Sequence, residues 1–409
     1  MKNLILNEGY QNSKILFDKG IKDKIYIKKK EYIDLSNCAG SLILGHNSKI
    51  FKKSIRKYLN SNLSIFAHPN LHAKNFSQTI KKVFPNFSKI IYCNSGTEAV
   101  SKALRICRAI NGKKKYIVSV SGSWHGSVDQ LLFYPEKKMI PTPLSSGTTQ
   151  QDKKNIIIIP YGDILLSKKI LEKKKKNINC LIIEPIQASL PLENSKKYLK
   201  FLETYCKQNQ IILIFDEIIT AIRTKNKSVQ NNYKIKPDIT IIGKIFGGGL
   251  PIGIIGISKK IYTVLQKQKK PVFFGGTFSG NSLSTFLGNE IIKHILGNKK
   301  ILKNIDNKAK HFESNLNMFI KKNNFDLKIY RYSSILRIVF TKNAIINRIQ
   351  RDFFESKNTS KIKLFRKYLL KNKIYYPTSG IIFFSSLLSN KSLDYIMRYI
   401  KRGFIKYFK

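Results

Sequence analysis

Acidic residues are scarce in this chain: 24 Asp and Glu stand against 75 Lys and Arg in 409 residues, a formal charge of +51. Cysteine is also scarce. Its five copies (Cys38, Cys93, Cys107, Cys180, Cys206) are scattered, odd in number and without a CxxC pair. That pattern excludes a disulfide scaffold and a structural zinc site, and it reads as reduced thiols in a cytosol. No apolar run approaches the ~20 residues that cross a bilayer. The opening MKNLILNEGYQNSK is read as carrying no signal peptide, since it lacks a long apolar stretch. The expectation is a cytoplasmic protein with no membrane partner. No repeat with a period of about 20 to 50 residues is visible. The six histidines offer no metal site: His68 and His72 have helical spacing, but Pro69 lies between them, so they read as rim residues near a substrate mouth.

What is present is enough for a large core. The chain is 42% hydrophobic and 11% aromatic, which excludes a disordered or collagen-like protein. Its length fits about two to three structural units. The basic excess points on its face to nucleic acid, but the lysines are spread along the chain and come with an excess of Ile and Asn. All three are specified by A/T-rich codons, so base bias accounts for the charge without a selected partner. Net charge speaks to solubility and non-specific binding, not to fold. No specific nucleic-acid partner is expected.

The middle of the chain alternates short apolar runs with helix-length segments, the βαβ pattern of a parallel sheet covered by helices. Candidate strands are Lys89 to Cys93, Tyr116 to Val120, Ile156 to Ile159, Cys180 to Glu184, Ile211 to Asp216 and Ile239 to Ile242. Candidate helices between them include Glu98 to Ile110 and Ser195 to Asn209. The stretch from Pro135 to Lys154, rich in Pro, Ser, Gly and Thr, reads as a loop or lid. After about residue 290 a lysine-rich helix (Ile291 to Asn323) leads into short strands and a final helix. The expected division is residues 1–55 joining a small domain, 56–290 forming the large domain, and 291–409 forming the C-terminal small domain.

Three constellations carry chemistry. Asn94-Ser95-Gly96-Thr97-Glu98 lies between a strand and a helix, where small residues and a helix N-terminus suit a phosphate. An ordinary N-cap is the competing reading. Asp216 ends the most apolar strand, at the carboxyl edge where ligands of parallel sheets bind. Lys244 follows an apolar strand and precedes Gly247-Gly248-Gly249. A lysine whose surroundings depress its pKa can form a Schiff base with an aldehyde.

Together these residues resemble the class III, fold type I pyridoxal-phosphate aminotransferases, in particular the glutamate-1-semialdehyde 2,1-aminomutase-like branch. The resemblance rests on NSGTEA (Asn94 to Ala99), SWHG (Ser123 to Gly126), PYGD (Pro160 to Asp163), EPIQ (Glu184 to Gln187), FDEIIT with Arg223, PDITIIGKIFGGGLPIG (Pro237 to Gly253) and GGTFSGN (Gly275 to Asn281). YIDL and ILGH (Tyr32 to Leu35, Ile43 to His46) match as well. The resemblance implies an α/β fold: a mainly parallel seven-stranded sheet in the large domain, and a smaller α+β domain from the two termini. It implies pyridoxal 5'-phosphate as cofactor, held by Lys244 as an internal aldimine, with Asp216 on the pyridinium nitrogen. Ser95, Gly96 and Thr97 would take the phosphate. Trp124, the only tryptophan, would stack on the ring beside His125. Ile218 would pack on the opposite face, and Gln187 would bond the 3-oxygen. Thr277 would reach the phosphate of a neighbouring subunit, which implies a homodimer with shared active sites.

On the substrate side the chain departs from that branch. Leu16 takes the place of an arginine that grips the substrate carboxylate, and Ile381 takes the place of an acid. His68 would lie at the mouth. The expected activity is an aminotransferase working on an amino donor and a keto or aldehyde substrate other than the haem precursor. The alternatives are a divergent aminomutase with Lys14 as anchor, a cofactor-binding protein without turnover, and a basic nucleic-acid-binding protein.

Overall fold

Isoleucine-rich runs of four to six residues build the central sheet of the computed structural model, which describes residues 15–61, 64–193, 195–224 and 226–409. Its strands in chain order are β1 (Lys89–Cys93), β2 (Tyr116–Val120), β3 (Ile156–Ile159), β4 (Ile178–Ile183), β5 (Ile212–Asp216), β6 (Ile239–Gly243) and β7 (Gly253–Ile257). They lie side by side in the order β1-β7-β6-β5-β4-β2-β3. β5 pairs in parallel with β4 and β6, and β2 with β4 and β3. Only β7 runs against its neighbours β6 and β1. The expected mainly parallel seven-stranded α/β sheet is the one observed.

Every residue of β5 is buried, and its side chains alternate between two cores. Ile212 and Ile214 pack with Ala99, Ala103 and Cys107 of the helix Gly96–Ile110. Leu213 and Phe215 pack with Leu199, Leu202 and Cys206 of the helix Lys196–Gln208. Burial on both faces explains why the run is apolar throughout. It also fixes the register, since a one-residue slip would exchange the two faces.

Four local readings are revised. β4 starts at Ile178 and stops at Ile183, so Glu184 lies just beyond the strand end. β7 is the seventh strand, not among the six candidates: Gly253 and Gly256 interrupt its apolar run. The stretch from Pro135 to Lys154 is not a bare loop: it contains part of a hairpin (Phe133–Pro135 with Pro141–Pro143) and most of the helix Gln150–Asn155. The long lysine-rich helix is two, Ser282–Gly297 and Lys299–Lys322. They meet at Asn298, whose side chain accepts from the Lys300 N–H at 3.2 Å and caps the second.

Outside the large sheet, Lys19–Ile21, Lys24–Ile27 and Lys30–Asp34 form an antiparallel meander. Ile374–Tyr375 joins it in parallel, with Ile374 opposite Ile33, and so ties the first described residues to the C-terminal part. Lys328–Tyr332, Ile335–Val339 and Ile381–Phe383 make a second antiparallel sheet. Phe312, Phe340, Phe365, Phe384 and Phe404 fill the core between these strands and the final helix Asn390–Phe408. Among the described residues no helix is long and apolar enough to cross a membrane.

Candidate active site

β1 ends at Cys93, and the helix Gly96–Ile110 begins three residues later. Ser95 Oγ accepts the Glu98 N–H at 3.1 Å, and Glu98 Oε2 accepts the Asn94 N–H at 2.7 Å. This reciprocal capping satisfies two N–H groups and leaves those of Gly96 and Thr97 in the unpaired first turn, aimed out of the helix end. The turn is packed from behind with no room to spare. A Cβ on Gly253 would come 2.0 Å from the Ser95 carbonyl oxygen, and one on Gly96 would come 2.7 Å from Ile218 Cδ1. Ile218 also lies 3.8 Å from where a Cβ of Gly243 would be, so it bridges the Asn94–Glu98 turn and the end of β6.

Asp216 stands at the C-terminal end of β5, 4% exposed. His125 Nδ1 lies 2.8 Å from Asp216 Oδ2, and the Ile218 N–H donates to Asp216 Oδ1 at 3.1 Å. The other imidazole nitrogen, His125 Nε2, is buried without a hydrogen-bond partner. The loop that carries His125 is pinned at two points. The Trp124 N–H donates to Glu184 Oε1 at 2.6 Å, and the Ser127 N–H donates to Thr97 Oγ1 at 3.2 Å. Gly126, at φ +77°, passes so close that a Cβ would meet Thr97 Oγ1 at 2.4 Å. Trp124 remains 38% exposed, next in the chain to His125. Gln187 is buried and donates through Nε2 to the Ser121 carbonyl at 2.7 Å.

Lys244 directly follows β6 and takes the left-handed conformation at φ +49°, a strained choice for a residue with a side chain. Among the described residues no hydrogen bond or ion pair holds its amine. Burial, reinforced by the Arg223 cation and opposed by the Glu184 and Asp216 charges, pushes the amine down to about 8. Arg223 itself is buried without a carboxylate. It donates to the Gly40 and Ile219 carbonyls and the Ser334 hydroxyl, and it lies over the Phe383 ring at 4.9 Å. Burial holds it down to about 9.

Glu184 and Arg223 are the residues whose roles the sequence did not disclose. Both lie inside the matched motifs, but nothing in a linear motif says that Glu184 holds the Trp124 backbone or that Arg223 lacks an acid. Burial, with the Asp216 charge added, pushes the Glu184 carboxyl up to about 7.

The remaining candidates are dispersed. Ile381 packs in a small cluster with Ala188, Ile219 and Ile335, next in sequence to Gln187 and Ile218. Thr277 is exposed, and its carbonyl accepts the Ala67 N–H at 2.8 Å. His68 is exposed in the same neighbourhood, next in the chain to Ala67. Leu16 is 57% exposed, and its neighbour Phe17 packs edge-on against Tyr375 at 5.1 Å. Lys14 lies outside the described residues.

An amine brought down to about 8, a buried carboxylate oriented by an imidazole, a flat aromatic surface and an open helix N-terminus suit one kind of ligand. That ligand carries an aldehyde, a protonated ring nitrogen and a phosphate. The orphaned His125 Nε2 and the glycine-lined turn fit such a group. The comparisons agree. The family model Aminotransferase class-III matches residues 7–358. The chain is 32% identical over 386 residues to the glutamate-1-semialdehyde 2,1-aminomutase of Thermosipho africanus, covering 92% of this chain and 89% of that one. It is 32% identical over 360 residues to that of Thermodesulfovibrio yellowstonii, covering 87% and 83%. Its fold is similar to that of an omega-transaminase from Sphaerobacter thermophilus, with a TM-score of 0.88 at 20% identity over 95% of this chain and 90% of that one. A glutamate-1-semialdehyde-aminomutase from Pseudomonas aeruginosa PAO1 is similar at a TM-score of 0.85 and 16% identity over 96% and 88%. The chain therefore belongs to the class-III aminotransferases, pyridoxal-phosphate enzymes of fold type I.

Proposed function

We propose that this enzyme moves an amino group between an amino donor and a keto or aldehyde acceptor, as a cytoplasmic homodimer, with Lys244 as the residue that bonds the cofactor and then shuttles protons. When bound, pyridoxal phosphate supplies an electron sink that lowers the barrier to proton removal at the substrate carbon. The chain's own groups prepare that step. The Lys244 amine, brought down to about 8, loses its proton far more easily than an exposed lysine, which suits it to bond the aldehyde and then to take a proton. Asp216, fixed by His125 and the Ile218 N–H, keeps the ring nitrogen protonated. Gly96 and Thr97 hold the phosphate through backbone N–H groups, with Ser95 capping the same turn. Trp124 and Ile218 would pack against the ring, and Gln187 would bond its 3-oxygen. Thr277 would contact the phosphate of a partner subunit. The observation that carries this reading is the unpaired Lys244 amine at the end of β6, one strand away from the Asp216–His125 pair.

For the substrate, the apolar Ile381, packed with Ala188 and Ile219 next in the chain to Gln187 and Ile218, supports an acceptor other than glutamate-1-semialdehyde. A charged anchor and an apolar surface select very different ligands. The second reading is the aminomutase itself, and the names of the 32%-identical relatives favour it. One experiment separates them. Purified protein is mixed with glutamate-1-semialdehyde, and in parallel with a panel of amines, while the cofactor absorbance and 5-aminolevulinate are followed. Conversion of amines with little 5-aminolevulinate supports the aminotransferase; efficient 5-aminolevulinate formation establishes the aminomutase.

A further inference from the structure

Lysines on this chain are mostly solvated, but Lys102 is not. Its side chain is 7% exposed, in the middle of the helix that begins at the phosphate turn. Burying an ammonium is costly unless it is paired and hydrogen-bonded. Lys102 meets both conditions. Its Nζ donates to Glu98 Oε1 at 2.5 Å, to the Phe274 carbonyl at 2.8 Å and to the Gly275 carbonyl at 3.4 Å. One turn along the same helix face, Arg105 Nη1 donates to the Phe273 carbonyl at 2.8 Å. Three consecutive carbonyls, 273 to 275, are thus held by two cations of one helix. Thr277 follows two residues later, and its own carbonyl is fixed by the Ala67 N–H.

The far end of the network is the phosphate turn. Glu98 gives one carboxylate oxygen to Lys102 and the other to the Asn94 N–H, while its own N–H is capped by Ser95. A single carboxylate therefore joins the turn that takes one phosphate to the loop that carries Thr277. We infer that Lys102 is a positioning residue for the cofactor: through the Phe274 and Gly275 carbonyls it holds the loop at 273–277 in the geometry in which Thr277 contacts phosphate, and through Glu98 it ties that loop to the Asn94–Glu98 turn. The inference rests on the shared-phosphate reading of Thr277. Without Lys102 the Phe274 and Gly275 carbonyls lose their donor and Glu98 loses its cation, so both phosphate contacts loosen. Binding of the unphosphorylated ring is untouched.

The test compares pyridoxal phosphate with pyridoxal, which lacks the phosphate, on the full-length apo-protein and its Lys102→Met, Thr277→Ala and doubly substituted forms. Absorbance titration reads the affinity for each. Lys102→Met is expected to weaken pyridoxal phosphate by about tenfold, or ~1.4 kcal/mol, and to leave pyridoxal unchanged. In the Thr277→Ala background the same substitution should cost much less, because the two act through one loop. If Lys102→Met does not fold, Lys102→Gln, which keeps one donor, serves in its place with a smaller loss in the same direction. Equal weakening of both ligands would make Lys102 a purely structural residue and overturn the inference. Weakening in Thr277→Ala with an unaffected Lys102→Met protein would overturn it while leaving the shared-phosphate reading in place. No effect of Thr277→Ala would overturn both.

Discussion

Asp216 Oδ2 and His125 Nδ1 lie 2.8 Å apart at the C-terminal end of the fully buried strand β5, both almost wholly shielded from solvent. The carboxylate is thereby held against a single imidazole, with its second oxygen anchored by the Ile218 N–H. Only an ionised carboxylate can keep a ring nitrogen protonated. Asp216→Asn should retain part of the cofactor and lose turnover by about a hundredfold or more, as a missing charge in the reacting state costs several kcal/mol. Single-turnover absorbance with an amine donor measures this. Wild-type rates in Asp216→Asn would contradict the assigned role.

The Lys244 amine, pushed down to about 8 by burial and by the nearby Arg223 cation, gives a pH dependence of definite sign. Only the neutral amine attacks an aldehyde, so the rate at which apo-protein takes up pyridoxal phosphate should rise with pH and level off above about 8. Arg223→Met removes the cation that disfavours protonation, so the rise should move to higher pH; Arg223→Lys should leave it near the wild-type position. The Asp216 and Glu184 charges act on the same amine, and His125 is bonded to Asp216; Glu184, pushed up to about 7, adds a second limb below it. The unfolded chain binds the Lys244 proton more tightly than the folded one. Apo-protein stability should therefore gain from Lys244 as pH rises from about 8 towards the ordinary lysine value. Uptake that does not depend on pH between 6 and 10 would remove this account of Lys244.

Two glycines of β7 should fail differently when given a methyl group. At Gly256 the Cβ would fall 2.1 Å from the Phe87 ring, inside the core, so Gly256→Ala should cost about 1–3 kcal/mol of stability by overpacking. At Gly253 it would fall 2.0 Å from the Ser95 carbonyl, so Gly253→Ala should displace the phosphate turn and weaken pyridoxal phosphate binding as well. Denaturant melts together with cofactor titrations distinguish the two; equal cofactor affinity in both would mean that the turn adjusts freely.

Large apolar side chains crowd the surface around Thr277. Phe273 is 75% exposed, Leu71 70% and Phe278 55%, and Phe66 lies edge-on to Phe278 at 5.3 Å. Exposed aromatics beside a residue assigned to a neighbour's phosphate fit a surface covered by a second copy. Light scattering should give a dimer, and Phe278→Lys should raise its dissociation constant and the cofactor's together. A monomer with tightly bound cofactor would contradict shared sites.

Much of the scaffold was legible because buried parallel strands leave a simple signature. Ile156–Ile159 and Ile212–Asp216 are apolar on both faces, and helix-length segments separate them. β7 was hidden because its glycines, present to let Ser95 and Phe87 approach, resemble turn residues. The Asn298 break in the long C-terminal helix was hidden because lysine-rich helical periodicity runs through it with no proline. In the candidate site, the motifs singled out Lys244, Asp216 and the Asn94–Glu98 turn. The partners that tune them, Arg223 and Glu184 above all, act through space across more than twenty residues of sequence. Burial and the absence of a counter-ion define their roles, and neither is written in a local pattern.

The central claim, that Lys244 is the amine that bonds the cofactor, is tested most directly by borohydride reduction of the full-length protein loaded with pyridoxal phosphate, followed by mass mapping of the peptides. The account predicts a single reduced adduct on Lys244, and in Lys244→Ala the loss of both the adduct and the visible cofactor band. A stoichiometric adduct on another lysine, or an unchanged reducible band in Lys244→Ala, would contradict it.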